Sequence, residues 1–282
     1  MNPQTRRQYL RTSCVAACGA LAGCNTDILR KSEPVEIGQS QSRNKTSLTV
    51  EDISVNNSFL YSTQDGYWRP TPLQITKYAF IDVAADGCNT PSLDDLQLVT
   101  QHNDERFVGT ITPSNLSPDG VIFGRNSPYN PKEGLQRGWI AFEVDIFNNP
   151  PQDAYVSWDG LRWEVDQIHR EALAGGMPSF EYSEIEVPKQ SSSGEPLDIH
   201  FRIRNISDVY DGVCRGALHI LQPRLDSINP FESAIPFAVK VQAGDSSEWT
   251  YTFESEFTRS LSKAKLDLRS HAGNRAFSID IG

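Results

Sequence analysis

Few residues in this chain are spaced to do chemistry. Cys214-Arg-Gly-Ala-Leu-His219, with His200 fourteen positions before the cysteine, is the one Cys/His grouping. Two histidines and a cysteine on a β-sandwich, with a weak axial methionine, are the ligand set of blue-copper carriers. Beyond Met1, however, the chain has one methionine, Met177, and it lies before both histidines, while His200 sits only fourteen residues before Cys214. The five histidines (His102, His169, His200, His219, His271) otherwise lack a Cys or His partner at zinc spacing. They read as strand histidines, and no metal is assigned. Asp94-Asp95, Asp104-Glu105 and Asp208-x-x-Asp211-Gly212 offer the oxygen ligands that Ca²⁺ prefers, but without the alternating acid spacing of a binding loop. They read as solvated turns. The chain contains no G-x-S-x-G, H-E-x-x-H, P-loop or dinucleotide fingerprint. The expectation is therefore no catalytic residue, no cofactor and no enzyme.

Three further sets of residues carry chemistry short of catalysis. Cys88 and Cys214 would close a loop of 126 residues if bridged, worth roughly 4–5 kcal/mol in the chain-entropy account. Bridging needs Cα atoms within about 7 Å, so a disulfide stands beside the alternatives of a buried and a mobile thiol. Asn44, Asn56, Asn115 and Asn205 each begin an N-x-S/T sequon and are glycosylation acceptors if exposed outside the cell. Ser117-Pro118 follows Asn115 and lowers its expected use. Trp68, Trp158 and Tyr129 would suit an exposed binding platform, whereas Trp139, Trp163 and Trp249 sit in alternating stretches and read as core.

The elements that must position these residues are strands. Ile140, Phe142, Val144 and Ile146 alternate with Ala141, Glu143 and Asp145. Leu197, Ile199, Phe201 and Ile203 alternate with Asp198, His200, Arg202 and Arg204, and Phe277, Ile279 and Ile281 with Ser278 and Asp280. A period of two marks strands with one buried face and one wet face, as in antiparallel sheets. Turn clusters separate them at 113–120, 126–134, 191–194 and 211–212. The single helix-like stretch, Val165–Ala174, ends at Gly175-Gly176 and Pro178 and reads as a linker.

An internal repeat divides the body. Pro72-Leu73-Gln74-Ile75 parallels Pro196-Leu197-Asp198-Ile199, and Arg162-Trp163-Glu164-Val165-Asp166 parallels Ala276-Phe277-Ser278-Ile279-Asp280. Between them, Gly134 through Trp139 to Phe142-Glu143 parallels Gly244 through Trp249 to Phe253-Glu254. The offsets, 110 to 126 residues in constant order, match the size of an immunoglobulin-like sandwich. The expected fold class is all-β: two tandem immunoglobulin-like antiparallel β-sandwiches, at 47–167 and 178–282, joined by a linker at 168–177.

The N-terminus states an address. Residues 1–23 carry Arg6, Arg7 and Arg11, no acid, and a short apolar run ending in small residues, the layout of an export signal and not of a spanning helix. Thr5-Arg6-Arg7-Gln8-Tyr9-Leu10 looks like a twin-arginine signal, and Leu21-Ala22-Gly23-Cys24 resembles a lipobox that leaves Cys24 lipidated. The polar stretch at 24–46 reads as a spacer. The body, in turn, is similar to small immunoglobulin-like lipoprotein domains of unknown function over roughly 47–167. This likeness rests on a long apolar strand, a polar middle and the Gly138-Trp139-x-x-Phe142-Glu143 motif. The second half, with Val187-Pro188, Gly194-Glu195 and Asn205-x-Ser207, looks like adhesion-type immunoglobulin-like modules of cell-surface proteins. The resemblance implies a fold and a location, with no catalytic residue.

Charge sharpens the functional classes. The chain has 282 residues, 26 Lys+Arg and 36 Asp+Glu, for a net charge of −10. Removing Arg6, Arg7 and Arg11 with the signal leaves −13. Such acidity argues against nucleic acid, which needs a basic surface. With 18 arginines against eight lysines, the acidity resembles that of exported lipoproteins of salt-loving archaea. The expectation is a lipid-anchored protein on the extracytoplasmic face of the cell membrane, serving as a non-catalytic binding or structural module. Its partners would be the membrane, through the anchor, and envelope proteins or glycans. The alternatives are an accessory subunit of a membrane transporter or respiratory complex, and a metal or redox carrier.

Overall fold

Twenty strands, two short α-helices and two 3-10 turns (Leu93–Asp95 and Pro131–Glu133) are the regular elements of the described part of the chain, seen in a computed structural model. The described residues are 33–282 apart from 64–66, 75, 103–104, 109, 113–121, 222–233 and 260. The first half contains β1 (Val35–Glu36), β2 (Ser40–Arg43), β3 (Thr46–Asn56), β4 (Leu60–Ser62), β5 (Trp68–Pro70) and β6 (Thr76–Gly87). It continues through β7 (Leu96–His102), β8 (Glu105–Val108), β9 (Thr110–Thr112), β10 (Arg137–Asp145), β11 (Asp153–Trp158) and β12 (Leu161–Glu164). Helix α1 (Gln167–Leu173) follows. The second half holds β13 (Phe180–Glu186), β14 (Gln190–Ser191), β15 (Leu197–Asn205), β16 (Gly212–Ile220), β17 (Ala234–Val241) and β18 (Ser246–Phe253). Helix α2 (Ser255–Arg259), β19 (Lys263–Ser270) and β20 (Gly273–Ile281) complete it.

Both halves are antiparallel sandwiches of immunoglobulin-like order, and the protein is all-β. In the first, one sheet runs β2-β3-β6-β10-β9 and the other β1-β12-β11-β7-β8. In the second, β13-β15-β18 faces β14-β20-β19-β16-β17. Assigning letters in chain order gives A-B-E-D against G-F-C-C′ for the first and A-B-E against G-F-C-C′ for the second. In each, a two-residue strand near the start pairs in parallel with the last strand: Val35 opposite Trp163, and Gln190 opposite Asp280. Two of the three repeat matches join equivalent strands, since β10 and β18 are both E-type and β12 and β20 both close their sandwich, whereas residues 72–74 precede β6 and Leu197 begins β15.

The two-residue periodicity seen in the sequence sets the cores. Leu48, Val50 and Ile53 of β3, Ala79, Ile81 and Val83 of β6 and Ile140, Phe142 and Val144 of β10 meet Leu98, Val156 and Trp163 from the facing sheet. Leu197, Ile199, Phe201 and Ile203 meet Leu218, Val239, Leu266 and Ile279 in the second core. At about 25 cal/mol per Å² of apolar area removed from water, burial of this kind is the main stabilising contribution. Asn44 and Lys45, both at positive φ, close the β2–β3 hairpin, and Asp159-Gly160 closes β11–β12, the backbone geometry that a two-residue turn between twisted strands requires.

Two boundaries differ from the expectation. Strands β1 and β2 lie inside the stretch read as a spacer, because a short polar strand can complete a sheet edge without any apolar periodicity of its own. Helix α1, read as a linker, is capped by Asp166, whose carboxylate accepts from the His169 amide, and buries Leu173 in the first core. Lys77 of β6 donates to the carbonyls of Ala172 (2.6 Å) and Ala174 at its C-terminus, where a cation is favourable. Burial pulls the Lys77 ammonium down to a pKa of about 8, and it stays mostly charged at neutral pH.

The segment between β3 and β6 crosses to the other sandwich. The β4–β5 hairpin packs on β16 and β19, with Leu60 and Trp68 against Ala217 and Ala234. Leu73, expected to open a strand, packs against the second core instead. Two histidines fasten this crossing. His219 Nε2 bonds to the Trp68 carbonyl at 3.1 Å. His271 accepts at Nδ1 from the Arg215 amide (3.2 Å), so Nε2 carries the proton and donates to the Thr71 carbonyl (2.9 Å). Residues Ser32–Gly282 thus form one contact unit around two sandwich cores.

Candidate functional site

A cleft of about 870 Å³ lies on the outer face of the β3-β6-β10 sheet. Its walls come mainly from five places: β3 (Glu51, Asp52, Ser54, Asn56), β6 (Phe80, Asp82), β10 (Arg137, Gly138, Trp139), the 122–127 loop and Arg215 of β16. The alternation of β10 predicts that this face is wet. It is instead largely covered, because Phe59, Ile122 and Trp139 pack over Tyr78 and Phe80.

The β3 wall depends on a bulge. Val50 stands opposite Val83 and Asp52 opposite Asp82, leaving Glu51 as an extra residue. A bulge of this kind turns two successive side chains to one face. Val50 and Ile53 both enter the core, so Glu51 and Asp52 both turn toward the cleft. Asp52 and Asp82 are thereby directly opposed like charges, which is unfavourable in a sheet. Burial raises the Asp82 pKa above the usual carboxylate value; Arg125 opposes this rise, and Asp52 and Glu51 add to it.

The loop wall is stapled at both ends. Ile122 bridges to Tyr61 of β4, and the Phe123 amide donates to the Leu60 carbonyl at 2.9 Å. At the other end the Tyr129 amide donates to the Trp139 carbonyl (3.0 Å), and Trp139 Nε1 donates to the Asn126 carbonyl (2.7 Å). Gly138 permits this approach: a Cβ there would lie 2.5 Å from backbone atoms of Ser127, Pro128 and Tyr129. The loop so held directs Arg125 inward. Its guanidinium donates to Asp82 (3.3 Å) and to the Ser54 hydroxyl, and sits 4.0 Å from the Phe80 ring centroid. Arg137 closes the rim with a two-point bond to Glu51 at 2.6 and 3.0 Å.

Arg215 enters from the second sandwich. It donates to Asn56 Oδ1 at 3.2 Å and to the Ser58 hydroxyl at 3.4 Å. Burial, reinforced by the Arg125 charge, pulls its pKa down to about 10 and leaves it cationic at neutral pH. The cleft therefore offers carboxylates and guanidiniums side by side, with aromatic rings beneath and at the rim. It can hydrogen-bond a polar ligand and hold an anionic group on it.

The residues singled out from the sequence lie elsewhere, except Asn56 and Trp139; Trp139, read as core, instead covers the outer face of the first sandwich and lines the cleft. Cys88 is exposed and Cys214 buried, both as free thiols, which corrects the disulfide alternative. Cys214 points into the second core and its thiol is pushed up to a pKa of about 12 by burial. His219, five residues along the same strand, faces the β4–β5 hairpin on the opposite side. Odd spacing on a strand separates the two, so Cys214, His219 and His200 form no copper site. Among the described residues no cluster of His, Cys, Asp or Glu could hold a metal ion.

Asn205 is fully buried, and its amide donates to the Tyr210 carbonyl at 2.8 Å, which corrects its reading as a glycosylation acceptor. Asn44 is exposed in its turn, and the Asn56 side chain is engaged by Arg215. Asn115 lies outside the described residues, as do Arg6, Arg7, Leu21, Ala22, Gly23 and Cys24. Trp68, Trp158 and Tyr129 are buried, so they form no exposed platform; the Tyr129 hydroxyl donates to the Pro91 carbonyl at 2.7 Å. Of the acidic turns, Asp95 accepts from the Ser92 amide of its own turn, Asp211 accepts from the Ala243 amide of another loop, and Asp104 lies outside the described residues. Sequence reasoning missed the cleft residues. The one available signal was Val50-Glu51-Asp52-Ile53, which breaks the alternation of β3.

No protein-family model matches the chain, and no curated protein matches it either. Among solved structures it is similar to a beta-glucosidase from Listeria innocua in complex with glucose, at 22% identity and a TM-score of 0.30. That match covers 38% of this chain and 17% of that one. A GH3 beta-glucosidase from Bifidobacterium adolescentis matches at 15% identity and a TM-score of 0.28, over 36% of this chain and 17% of that one. A CARDB domain from Pyrococcus furiosus, solved in complex with di-metal ions, matches at 8% identity and a TM-score of 0.29, over 37% of this chain and 89% of that one. The chain thus spans about a sixth of the length of these glucosidases. At TM-scores of this size the likenesses carry neither a fold nor an activity to this chain.

Proposed function

We propose that this is a non-catalytic ligand-binding module, exported and held on the extracytoplasmic face of the membrane by a lipid on Cys24. The observation that carries the binding reading is the cleft of about 870 Å³, walled by both sandwiches and lined with Arg125, Arg215, Asp52 and Asp82. Its volume lies in the range of small-molecule sites. Rigid strands supply most of its walls, and a stapled loop supplies the rest, so a ligand would meet a preformed surface with little ordering cost. The address rests on the Arg6-Arg7 and Leu21–Cys24 motifs. Among the described residues no helix is long and apolar enough to cross a membrane.

The binding reading is tested by screening the protein against neutral and acidic saccharides beside a Ser127→Trp variant. Ser127 is exposed on the cleft wall, and an indole there fills the space without disturbing either core. Binders that lose affinity for the variant support the reading. A screen with no binder, or binders indifferent to Ser127→Trp, contradicts it.

A further inference from the structure

We infer that the cleft recognises a saccharide bearing a single carboxylate, with Arg215 as the group that holds the carboxylate. The inference rests on the reading of the cleft as a ligand site and names its ligand class.

Three guanidiniums line the cleft, and they are not equivalent. Arg125 is paired with Asp82, and Arg137 makes a two-point bond to Glu51. Among the described residues the Arg215 guanidinium bonds only to the neutral oxygens of Asn56 and Ser58, and no carboxylate forms an ion pair with it. Its donors have two partners, whereas a guanidinium has five N–H groups. The charged cleft neighbour acting on it is another cation, Arg125. A partly buried cation without a counter-ion is an incomplete arrangement, and a bound anion completes it.

The surroundings select which anion. Glu51, Asp52 and Asp82 already place three acidic side chains on the walls, so a doubly charged phosphate meets more repulsion than a singly charged carboxylate. A carboxylate also matches the planar fork of a guanidinium with two parallel bonds. The remaining surface suits hydroxyl groups and the apolar face of a sugar ring. Asp52 and Ser127 are exposed polar side chains, and Phe123 leaves 41% of its surface open at the rim. The space accommodates a unit of disaccharide size.

The test uses the whole exported chain and a matched pair of probes: cellobiouronic acid, with one carboxylate, and cellobiose, the same frame without it. By calorimetry, cellobiouronic acid is expected to bind at least about tenfold tighter, as one charge-assisted two-point contact provides. Arg215→Met should abolish that preference. Asp52→Asn should strengthen cellobiouronic acid binding several-fold, because it removes one negative charge from the exposed wall of the same cleft and keeps the shape. It is the arm that holds if Arg215→Met fails to fold. Equal affinity for the two sugars, a preference that survives Arg215→Met, competition by inorganic phosphate at equal concentration, or no response to Asp52→Asn would each overturn the assignment. Equal affinity of both sugars at the cleft would leave the ligand-site reading intact. Absence of binding by either, together with an empty saccharide screen, would remove both.

Discussion

Acid should loosen the crossing between the sandwiches through one histidine. His271 accepts from the Arg215 amide at Nδ1 and donates from Nε2 to Thr71, so the imidazole must be neutral for both bonds to exist. Burial, with a smaller push from the Arg215 charge, pulls its pKa from 6.5 to about 4. Above pH 6.5 neither the folded nor the unfolded chain protonates this ring, and its full stabilisation is present. As pH falls from 6.5 toward 4 the unfolded chain takes up the proton and the folded one does not, so stability declines; below about pH 4 both are protonated and the loss is complete. At about 1.4 kcal/mol per pH unit the drop amounts to roughly 3 kcal/mol, a large share of the 5–15 kcal/mol typical of a domain. The assay is urea unfolding between pH 7.5 and pH 4 for the native protein and for His271→Gln. Glutamine can accept from Arg215 and donate to Thr71 without titrating. His219 and His102 are also shifted down by burial and set a background slope common to both proteins. The native protein should lose roughly 3 kcal/mol more than the variant over this range. Parallel pH profiles would refute the neutral bridging histidine.

Four other outcomes follow from named contacts. Gly138→Ala drives a Cβ into the 127–129 backbone and should cost about 1–3 kcal/mol of stability, by thermal unfolding, while releasing the loop that directs Arg125. Lys77→Met leaves the Ala172 and Ala174 carbonyls without their donor and should cost about 1–3 kcal/mol in urea; no change would mean that water replaces the ammonium. In the folded protein a thiol reagent should modify exposed Cys88 quickly and buried Cys214 only on unfolding, as mass spectrometry of native and denatured samples would record. Cys24→Ala should shift the protein from the membrane fraction to the medium; retention on the membrane would contradict the anchor.

The sandwiches were legible in the sequence because each relies on strands with one polar face. Leu197 to Ile203 alternate cleanly, and Phe277, Ile279 and Ile281 do the same on β20. The cleft was much harder to read. Tyr78 and Phe80 lie on the face of β6 opposite to Ala79 and Ile81, and that strand is buried on both sides, so its unbroken apolar run says nothing of what covers the second face. The cover is built from Phe59, Ile122 and Trp139, brought together by long-range pairing that no local period encodes. Arg125 follows a turn and Arg215 occupies a strand position that alternation assigns to solvent. Only the Glu51-Asp52 break in β3 was visible beforehand. Sequence repetition paired Trp139 with Trp249, yet the two rings face differently: Trp139 packs outside the first core and Trp249 against the second. A one-residue difference in register is enough to reverse a strand's faces.

The central claim is that both sandwiches contribute to one ligand cleft. Hydrogen–deuterium exchange of the whole protein, with and without the tightest binder from the saccharide screen, tests it most directly. The account predicts added protection at β3, at the 122–130 loop and around Arg215 on β16 together. Protection confined to one sandwich, or lying away from these segments, would contradict it.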